Sequence, residues 1–321
     1  MTNLYPLKFD PILKERVWGG KRILELPNKA KDYKETSIGE SWELNDVQQN
    51  ISIITNGFLK GNDINDLVET YLGDLVGDAV YERYGNEFPI LVKILDINEP
   101  LSLQIHPDDQ TALERHDSYG KTECWYIMDA EPSARIYLGL NKELTPKEFY
   151  QKCQNDTIEE DLNVITPQKG DMIYIEPGTL HSAKGGILVA EIQQVSDVTY
   201  RVYDWGREHN PETARDMHID LAIDCINYKP IIPESLLKLK GTCDTPYFKI
   251  TGLSINKDKY VVNSHMQNSF IAYLATSGAF EIISSGSKEK FEQGEVLLVP
   301  ASLGEFAIQG KGKLLEITCK P

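Results

Sequence analysis

Residues 88–123 read FPILVKILDINEPLSLQIHPDDQTALERHDSYGKTE, and the interpretation of the other segments starts from this stretch. Its first half is rich in Ile, Leu and Val and breaks at Asn98-Glu99-Pro100, a pattern that predicts two strands joined by a turn. In the second strand Ser102, Gln104 and His106 lie two positions apart, so their side chains project from one face of the sheet. Three polar groups are therefore predicted to share one wall of a β structure.

Two further segments bring polar side chains to a wall of this kind. Lys121 and Glu123 share a strand face, and the strand-and-turn segment GDMIYIEPGTLH ends in His181. With Gln104 and His106 they supply an amide, a carboxylate and two imidazoles, which suit a borderline divalent ion such as zinc with room for water or substrate. Taken singly, His106 also fits an ordinary turn histidine and Gln104 a satisfied interior amide. The shared facing within strands favours the metal site.

The composition is typical of a globular chain, and its net charge disfavours some classes of binding partner. The 321 residues exceed one average domain, and 26% charged with 41% hydrophobic residues are typical of a soluble protein. The net charge of −16 disfavours nucleic acid and anionic membranes as partners. No run approaches the ~18 apolar residues of a membrane helix, and the N-terminus lacks a signal-peptide pattern, so we predict a cytoplasmic protein. The five cysteines lack CxxC spacing, which argues against a disulfide framework and against a thiolate zinc site.

Helical segments and a linker interrupt the β pattern. Residues 62–85 carry apolar side chains at three- and four-residue spacing, and residues 145–162 begin with a Thr-Pro-x-Glu capping box. Both are predicted as helical insertions in or on a β core. Residues 211–227 are predicted to form another helix, and the proline-containing residues 229–233 are predicted to form a stiff linker.

A β pattern recurs on either side of that linker. TPQKGDMIYIEPGTLHSA and FEQGEVLLVPASLGEF share a Gly-acid opening, a short apolar strand and a Pro-led turn. Aligned on the prolines, His181 meets Gly304, so the second copy lacks the proposed ligands. We predict two all-β jelly-roll modules in tandem, residues 1–228 with the candidate site and residues 234–321 without metal ligands.

Other charged and aromatic residues are predicted to lie near the cleft. Lys93 stands in mid-strand among apolar neighbours, where an ammonium is costly unless it reaches an anion or solvent, so it is predicted to face the cleft. Asp197 and Arg201 can share a face of the strand that contains them. Arg16 and Trp18 lie in the compact segment ERVWGG, for which the residues alone favour edge-strand packing.

Six separated motifs carry a resemblance to a known family. They are ERVWGG, GESWEL, LSLQIHPDD, GKTECWYI, PGTLHS and SDVTYRVYDWGR. In this order they resemble the type I mannose-6-phosphate isomerases, zinc enzymes of the cupin superfamily, and specifically their short bacterial form. The resemblance covers most of residues 5–225, and the C-terminal module matches in kind. It implies a mainly β fold of two tandem cupin-like jelly-roll barrels.

The resemblance also implies roles for individual residues. The family's metal ligands map onto Gln104, His106, Glu123 and His181. Catalytic positions are implied for Arg201, Lys121 and Asp197, and substrate-binding positions for Ser102, Lys93, Arg16 and Trp18. Longer members carry Asn-His-Lys-Pro-Glu at the ligand glutamate, whereas this chain reads Tyr-Gly-Lys-Thr-Glu at 119–123 and lacks that histidine.

The implied activity is interconversion of mannose 6-phosphate and fructose 6-phosphate by proton transfer through a cis-enediol, with one Zn²⁺ per chain and a small sugar phosphate as partner. The general base stays open between Asp197, Glu191 and a water on the metal. Lys121 or Lys93 could meet the phosphate, or Lys121 could act near the reacting carbons. Arg201 could stabilise the enediolate or hold the phosphate. The alternatives are a non-catalytic sugar-phosphate-binding cupin and a different metal cupin enzyme such as an oxygenase. The oligomeric state is not predicted.

Overall fold

The computed structural model describes residues 4–27, 29, 37–232, 241–256 and 259–321. The strands are β1 (Leu7–Lys8), β2 (Ile12–Gly20), β3 (Ile38–Leu44), β4 (Ile90–Ile97), β5 (Leu103–Ile105), β6 (Glu123–Ala130), β7 (Arg135–Leu140), β8 (Leu162–Ile165), β9 (Met172–Ile175), β10 (His181–Lys184), β11 (Ile187–Gln194), β12 (Tyr200–Tyr203), β13 (Thr242–Asp244), β14 (Phe248–Asn256), β15 (Tyr260–Asn263), β16 (Ile271–Ser284), β17 (Ser287–Glu292), β18 (Val296–Val299) and β19 (Glu305–Cys319). The α-helices are α1 (Arg22–Glu25), α2 (Ile64–Tyr71), α3 (Gly73–Val76), α4 (Asp78–Tyr84), α5 (Asp109–His116), α6 (Pro146–Gln154) and α7 (Ile219–Ala222). Short 3₁₀ helices are formed by Ile158–Asp161, Arg207–His209, Ser264–Met266 and Ala301–Leu303. The prediction of a mainly β chain with two tandem jelly-roll modules and a few helices is confirmed.

Two antiparallel sheets build the N-terminal module. One has the strand order β2-β3-β4-β11-β6-β9 and the other β12-β5-β10-β7-β8. Apolar side chains such as Leu95, Trp125, Leu138 and Val189 form a buried cluster with contributions from both sheets. Lys93, Glu123 and Glu191 lie two positions from Leu95, Trp125 and Val189 on β4, β6 and β11, so the polar residues share the face that carries this apolar cluster.

A third sheet builds the C-terminal module, with the order β1-β18-β16-β19-β14-β13, β15 on β19 and β17 on β16. Its first strand comes from the other end of the chain, because Leu7 pairs with Leu298. One buried cluster also joins Val92 of β4 to Phe270 and Leu315 of the C-terminal module. β1 therefore lies in the sheet of the C-terminal module, although its residues belong to the proposed module 1–228. The end of the proposed linker, from Pro233, lies outside the described residues.

The predicted insertions are helical but divided. Residues 62–85 form α2, α3 and α4, because the backbone takes positive φ at Leu72 (51°) and Gly77 (96°) and breaks the helix at both. In residues 145–162, α6 starts with the predicted capping box, in which Thr145 and Glu148 satisfy each other's backbone N–H groups. None of the helices in the described part of the chain is long and apolar enough to cross a membrane.

The prediction of a helix over residues 211–227 is wrong for most of its length, because only α7 is helical there. The His218 backbone N–H donates to the Arg201 carbonyl at 2.8 Å, and the Arg201 N–H donates to His218 Nδ1 at 3.2 Å. These bonds hold the segment before α7 beside β12 and outweigh its helix propensity. Tertiary pairing thus places Arg215 and His218 near Arg201.

Candidate active site

A pocket of about 440 Å³ is lined by residues of β2, β3, β4, β5, β11 and β12 and of the segment before α7. Its cationic lining residues are Arg16, Lys93, Lys121, Arg201 and Arg215, and its carboxylates are Glu40, Glu191 and Asp197. Cations outnumber carboxylates here although the whole chain has a net charge of −16. A cleft with this local excess attracts a small anion in spite of the net charge of the protein.

Three of the predicted ligands meet beside this pocket. Glu123 Oε2 lies 3.3 Å from His106 Nε2, and Glu123 Oε1 lies 3.3 Å from His181 Nε2. Candidate ligand atoms of the three residues all lie within 4.8 Å of one another, and the three side chains are buried. Strand register explains the meeting, because Gln104 of β5 lies directly opposite His181 of β10 while His106 follows β5.

Both imidazoles are oriented by backbone carbonyls. His106 Nδ1 lies 3.1 Å from the Val198 carbonyl oxygen, and His181 Nδ1 lies 2.9 Å from the Thr179 carbonyl oxygen. A carbonyl only accepts, so each Nδ1 donates and each Nε2 keeps a lone pair turned toward Glu123. A backbone carbonyl on the remote nitrogen is the usual arrangement for a metal-binding histidine.

Gln104 completes the set as the weakest donor. Its Nε2 lies 3.2 Å from His181 Nε2, and its Oε1 accepts a hydrogen bond of 3.4 Å from the Ser102 hydroxyl. A half-turn of the terminal amide exchanges the two atoms and aims Oε1 at the histidine nitrogens. The structure thus brings the predicted amide to the same cluster, with Ser102 as its neighbour.

The electrostatics of the cluster fit a bound cation. Burial, reinforced by the nearby Lys121 ammonium, lowers the pKa of His106 to about 3, and burial also lowers the pKa of His181. Both imidazoles are therefore neutral near pH 7. Burial alone would raise the pKa of Glu123, but the positive charge of Lys121 outweighs it and holds that pKa well below its usual range. Glu123 Oε1 is buried without a hydrogen-bond partner among the described residues, a costly state that a cation would relieve.

Lys121 and Lys93 extend the cluster into the pocket. Lys121 Nζ lies 2.7 Å from Glu123 Oε2 and 3.0 Å from His106 Nε2. Lys93 Nζ lies 3.3 Å from Glu191 Oε1, and Lys121 Nζ lies 4.0 Å from the same oxygen. Burial lowers the pKa of Lys93, but the facing carboxylates, Glu191 first, outweigh it and leave that pKa raised. Each of these buried ammonium groups thus faces a carboxylate.

Asp197 and Arg201 line the pocket, and Arg201 lies directly opposite Gln104 in the pairing of β12 with β5. Its Nη1 donates to the Asp216 carbonyl, and its Nε is buried without a partner in the described ranges. Burial lowers the pKa of Arg201, with Arg215 beside it as the next cause. The Asp197 carboxylate makes no hydrogen bond to any described residue.

Arg16 and Trp18 also line the pocket, where the residues alone favoured edge packing. Trp18 is buried, and Arg16 is partly exposed and binds Glu40 through Nε at 2.7 Å. Both are therefore placed to meet a ligand.

Glu40 is a partly buried lining residue that sequence reasoning did not single out. Its Oε2 accepts a hydrogen bond of 2.7 Å from Trp42 Nε1. Burial opposes its charge, but Lys93 and Arg16 outweigh it and lower the pKa of Glu40 to about 2. The usable signal was its position in GESWEL, where strand alternation puts the carboxylate on the same side as Trp42. Arg215 and His218 were missed because their segment was predicted to be a helix.

Comparisons with known proteins show which family the chain belongs to. The model of a family described as phosphomannose isomerase type I, catalytic domain, matches residues 7–131. The mannose-6-phosphate isomerase ManA of Bacillus subtilis is 32% identical over 315 residues, which are 95% of this chain and 96% of that protein. The probable mannose-6-phosphate isomerase GmuF of the same organism is 34% identical over 313 residues, again 95% and 96% of the two chains. A crystal structure of the mannose 6-phosphate isomerase from Bacillus subtilis superposes with a TM-score of 0.84 at 29% identity and covers 98% of this chain and 99% of that chain. The chain therefore belongs to the type I mannose-6-phosphate isomerase family.

Proposed function

We propose that this chain is a zinc-dependent isomerase that interconverts mannose 6-phosphate and fructose 6-phosphate by moving a proton between C2 and C1 of the open-chain sugar through a cis-enediol. The observation that carries the proposal is the convergence of His106, Glu123 and His181 beside a cationic pocket, in a chain of this family. A sugar phosphate is a small anion, which suits the local charge of the pocket.

One zinc ion fits the buried donors. His106, Glu123 and His181 would hold it together with the amide oxygen of Gln104. Two neutral imidazoles and a carboxylate match a catalytic zinc site with three strong protein ligands, and the unpartnered Glu123 Oε1 supports a cation at this place. When bound, zinc would act as a Lewis acid that stabilises negative charge on the sugar oxygens at C1 and C2.

Lys121 is proposed to act at the reacting carbons. Its ammonium lies 2.7 Å from Glu123 Oε2 and is a counter-charge of that carboxylate. Lys121 also joins the lining of the pocket, so its ammonium would be within reach of a bound sugar if a divalent cation were held by Glu123. There it can donate to a sugar oxygen as negative charge develops on it.

Asp197 is proposed as the proton carrier between C2 and C1. Its carboxylate lines the pocket and makes no hydrogen bond to the described residues, so it is free to take a proton from one carbon and return it to the other. Glu191 is the alternative, since burial raises its pKa and favours the protonated form. Lys93 at 3.3 Å and the Trp125 Nε1–H at 2.9 Å, however, already hold the two Glu191 oxygens.

The remaining predicted residues are proposed to bind substrate. Ser102, Lys93 and Arg16 offer donors to sugar oxygens, and the buried indole of Trp18 forms an apolar wall. Arg201 is proposed to contact the substrate at the side of the pocket that β12 forms.

A coupled assay tests the function. Purified protein should convert mannose 6-phosphate to fructose 6-phosphate, lose this activity on chelation and regain it when zinc is added. Tight binding of mannose 6-phosphate without formation of fructose 6-phosphate would indicate a sugar-phosphate sensor instead. Iron in the purified protein together with oxygen uptake would indicate an oxygenase. Either result would overturn the proposal.

A matched pair of variants tests the proton carrier. Asp197→Asn should abolish both turnover and the exchange of substrate hydrogen with deuterated solvent, since an amide accepts no proton from carbon. Glu191→Gln should retain measurable exchange. The opposite pattern would transfer the role of proton carrier from Asp197 to Glu191.

A further inference from the structure

Arg215 of the pocket lining shares one buried carboxylate with Arg207. Asp204 is fully buried and accepts hydrogen bonds from Arg215 Nε at 2.9 Å, from Arg215 Nη2 at 2.5 Å and from Arg207 Nη2 at 2.6 Å. Burial alone would raise the pKa of Asp204, but the hydrogen bonds from Arg215 and Arg207 outweigh it and lower that pKa. A fork held on two nitrogens has a fixed direction. Arg215 lines the pocket, and its Nη1 makes no hydrogen bond to the described residues.

Arg201 stands beside Arg215 with donors to spare. Its Nη1 is used by the Asp216 carbonyl, but its buried Nε has no partner in the described part of the chain. Positive charge is thus concentrated around Asp204, whose single carboxylate already serves Arg207 and Arg215. Like charges collected in a partly buried place are costly unless an anion joins them.

The other lining cations are already paired. Lys121 lies 2.7 Å from Glu123, Lys93 lies 3.3 Å from Glu191, and the Arg16 Nε lies 2.7 Å from a Glu40 oxygen. Within the described lining, the unused donors therefore concentrate at Arg201 and Arg215.

Sheet register places Arg201 next to Gln104 and on the far side of it from His181. His181, Gln104 and Arg201 lie directly opposite one another on β10, β5 and β12, so their side chains share one face. Two strand spacings separate His181 from Arg201, or about 10 Å. In an open-chain hexose 6-phosphate, the phosphate is at the far end from C1 and C2. Substrate with its reacting carbons at the ligand cluster would direct its phosphate along this row.

We propose that Arg201 and Arg215 bind the phosphate group of the substrate and that Asp204 is the positioning residue that aims Arg215. The proposal rests on the proposed function, since it deepens the recognition of the same substrate. A phosphate dianion satisfies the unused donors of both guanidinium groups and supplies the charge that Asp204 alone does not.

Calorimetric titration with inorganic phosphate tests the pair without using turnover. In zinc-loaded protein, Arg215→Gln should weaken phosphate binding about 10- to 100-fold, as expected for loss of a charge-assisted hydrogen bond. Arg207 stays on Asp204, so the fold should survive, which a thermal unfolding curve checks. The matched control is Arg115→Gln, whose arginine pairs with Asp224 and lies outside the pocket lining. This control should bind phosphate like the wild type.

Kinetics give a second readout. Arg215→Gln should raise KM for mannose 6-phosphate by a similar factor with kcat changed about threefold or less, and Arg215→Lys should fall in between because it keeps the charge but loses the fork. Unchanged phosphate affinity in a folded Arg215→Gln protein that still isomerises mannose 6-phosphate would overturn this inference and leave the proposed function standing. If the wild-type protein isomerises no sugar phosphate but Arg215→Gln still weakens phosphate binding, the proposed function would be overturned. The assignment of a phosphate site to Arg215 would then stand.

Discussion

Replacing Lys121 by Met should destabilise the metal-free protein and increase its affinity for zinc. Lys121 is buried, and its ammonium lies 2.7 Å from Glu123 Oε2. At an effective dielectric constant of about 20, two unit charges at that separation attract each other by about 6 kcal/mol. Met keeps an unbranched apolar side chain, one atom shorter than that of Lys, and removes the charged group with its N–H donors. Glu123 would then be a buried carboxylate without its nearest counter-charge.

The expected loss in the free energy of unfolding is about 3–5 kcal/mol in the presence of chelator, the usual cost of breaking one side of a buried ion pair. With saturating zinc the loss should be much smaller, because the metal replaces the ammonium as the partner of Glu123. By thermodynamic linkage, the difference between the two losses appears as tighter zinc binding by the variant. Turnover should nevertheless fall, because the proposed donor to the sugar oxygen is gone.

Urea denaturation followed by circular dichroism, with chelator and with excess zinc, measures both losses. Lys184→Met is the matched control. Its ammonium lies 2.9 Å from Glu159 in a pair that is about one third to one half exposed, so it should cost about 1 kcal/mol or less in both conditions. Equal destabilisation of Lys121→Met with and without zinc, or weaker zinc binding, would refute the argument that the ammonium and the metal share one carboxylate.

Four further outcomes are expected. His106→Ala should lose both bound zinc and turnover, measured by metal analysis and the coupled assay, and retention of both would exclude it as a ligand. Arg201→Ala should lower kcat/KM for mannose 6-phosphate at least about 100-fold, and wild-type activity would remove its proposed role. Burial lowers the pKa of His106 in the folded protein to about 3, so this residue takes up a proton in the unfolded chain at a higher pH than in the folded one. The free energy of unfolding of the metal-free protein should therefore decrease as pH falls from about 6.5 toward 3, with no loss from this group above that range. Denaturation midpoints that do not change with pH would contradict this. Gly20→Ala should cost about 1–3 kcal/mol, because its Cβ would lie 2.3 Å from an Asp96 oxygen, whereas Gly252→Ala, with its nearest atom at 3.5 Å, should cost less; equal midpoints would contradict the steric argument.

Features that depend only on residues close together in the sequence were predicted well. The capping box at the start of α6 needs only four consecutive residues, and the structure contains it. The facing of Ser102, Gln104 and His106 needs only the two-residue period of a strand, and these side chains do meet the cluster or its neighbours. Local geometry is set by the chain itself, so the sequence carries it.

Features that depend on pairing with residues elsewhere in the chain were predicted poorly. The segment before α7 has helix-forming residues but pairs with β12, and its Arg215 therefore reaches a pocket that no local pattern associates with it. β1 looks like any short strand, yet it joins a sheet whose other strands begin more than 230 residues later. Both outcomes depend on hydrogen-bond partners far away in the chain.

The candidate site shows the same division. Residue types, strand facing and family motifs were enough to propose Gln104, His106, Glu123 and His181 as ligands, and the structure brings these side chains together. The backbone carbonyls that orient the two imidazoles, and the close approach of Lys121 to Glu123, exist only after the sheets have packed. Burial then keeps both imidazoles neutral and leaves one Glu123 oxygen without a partner. The neutral imidazoles and the unpartnered carboxylate oxygen both result from burial. The strands that bury them are distant in sequence, so only the tertiary structure decides these properties.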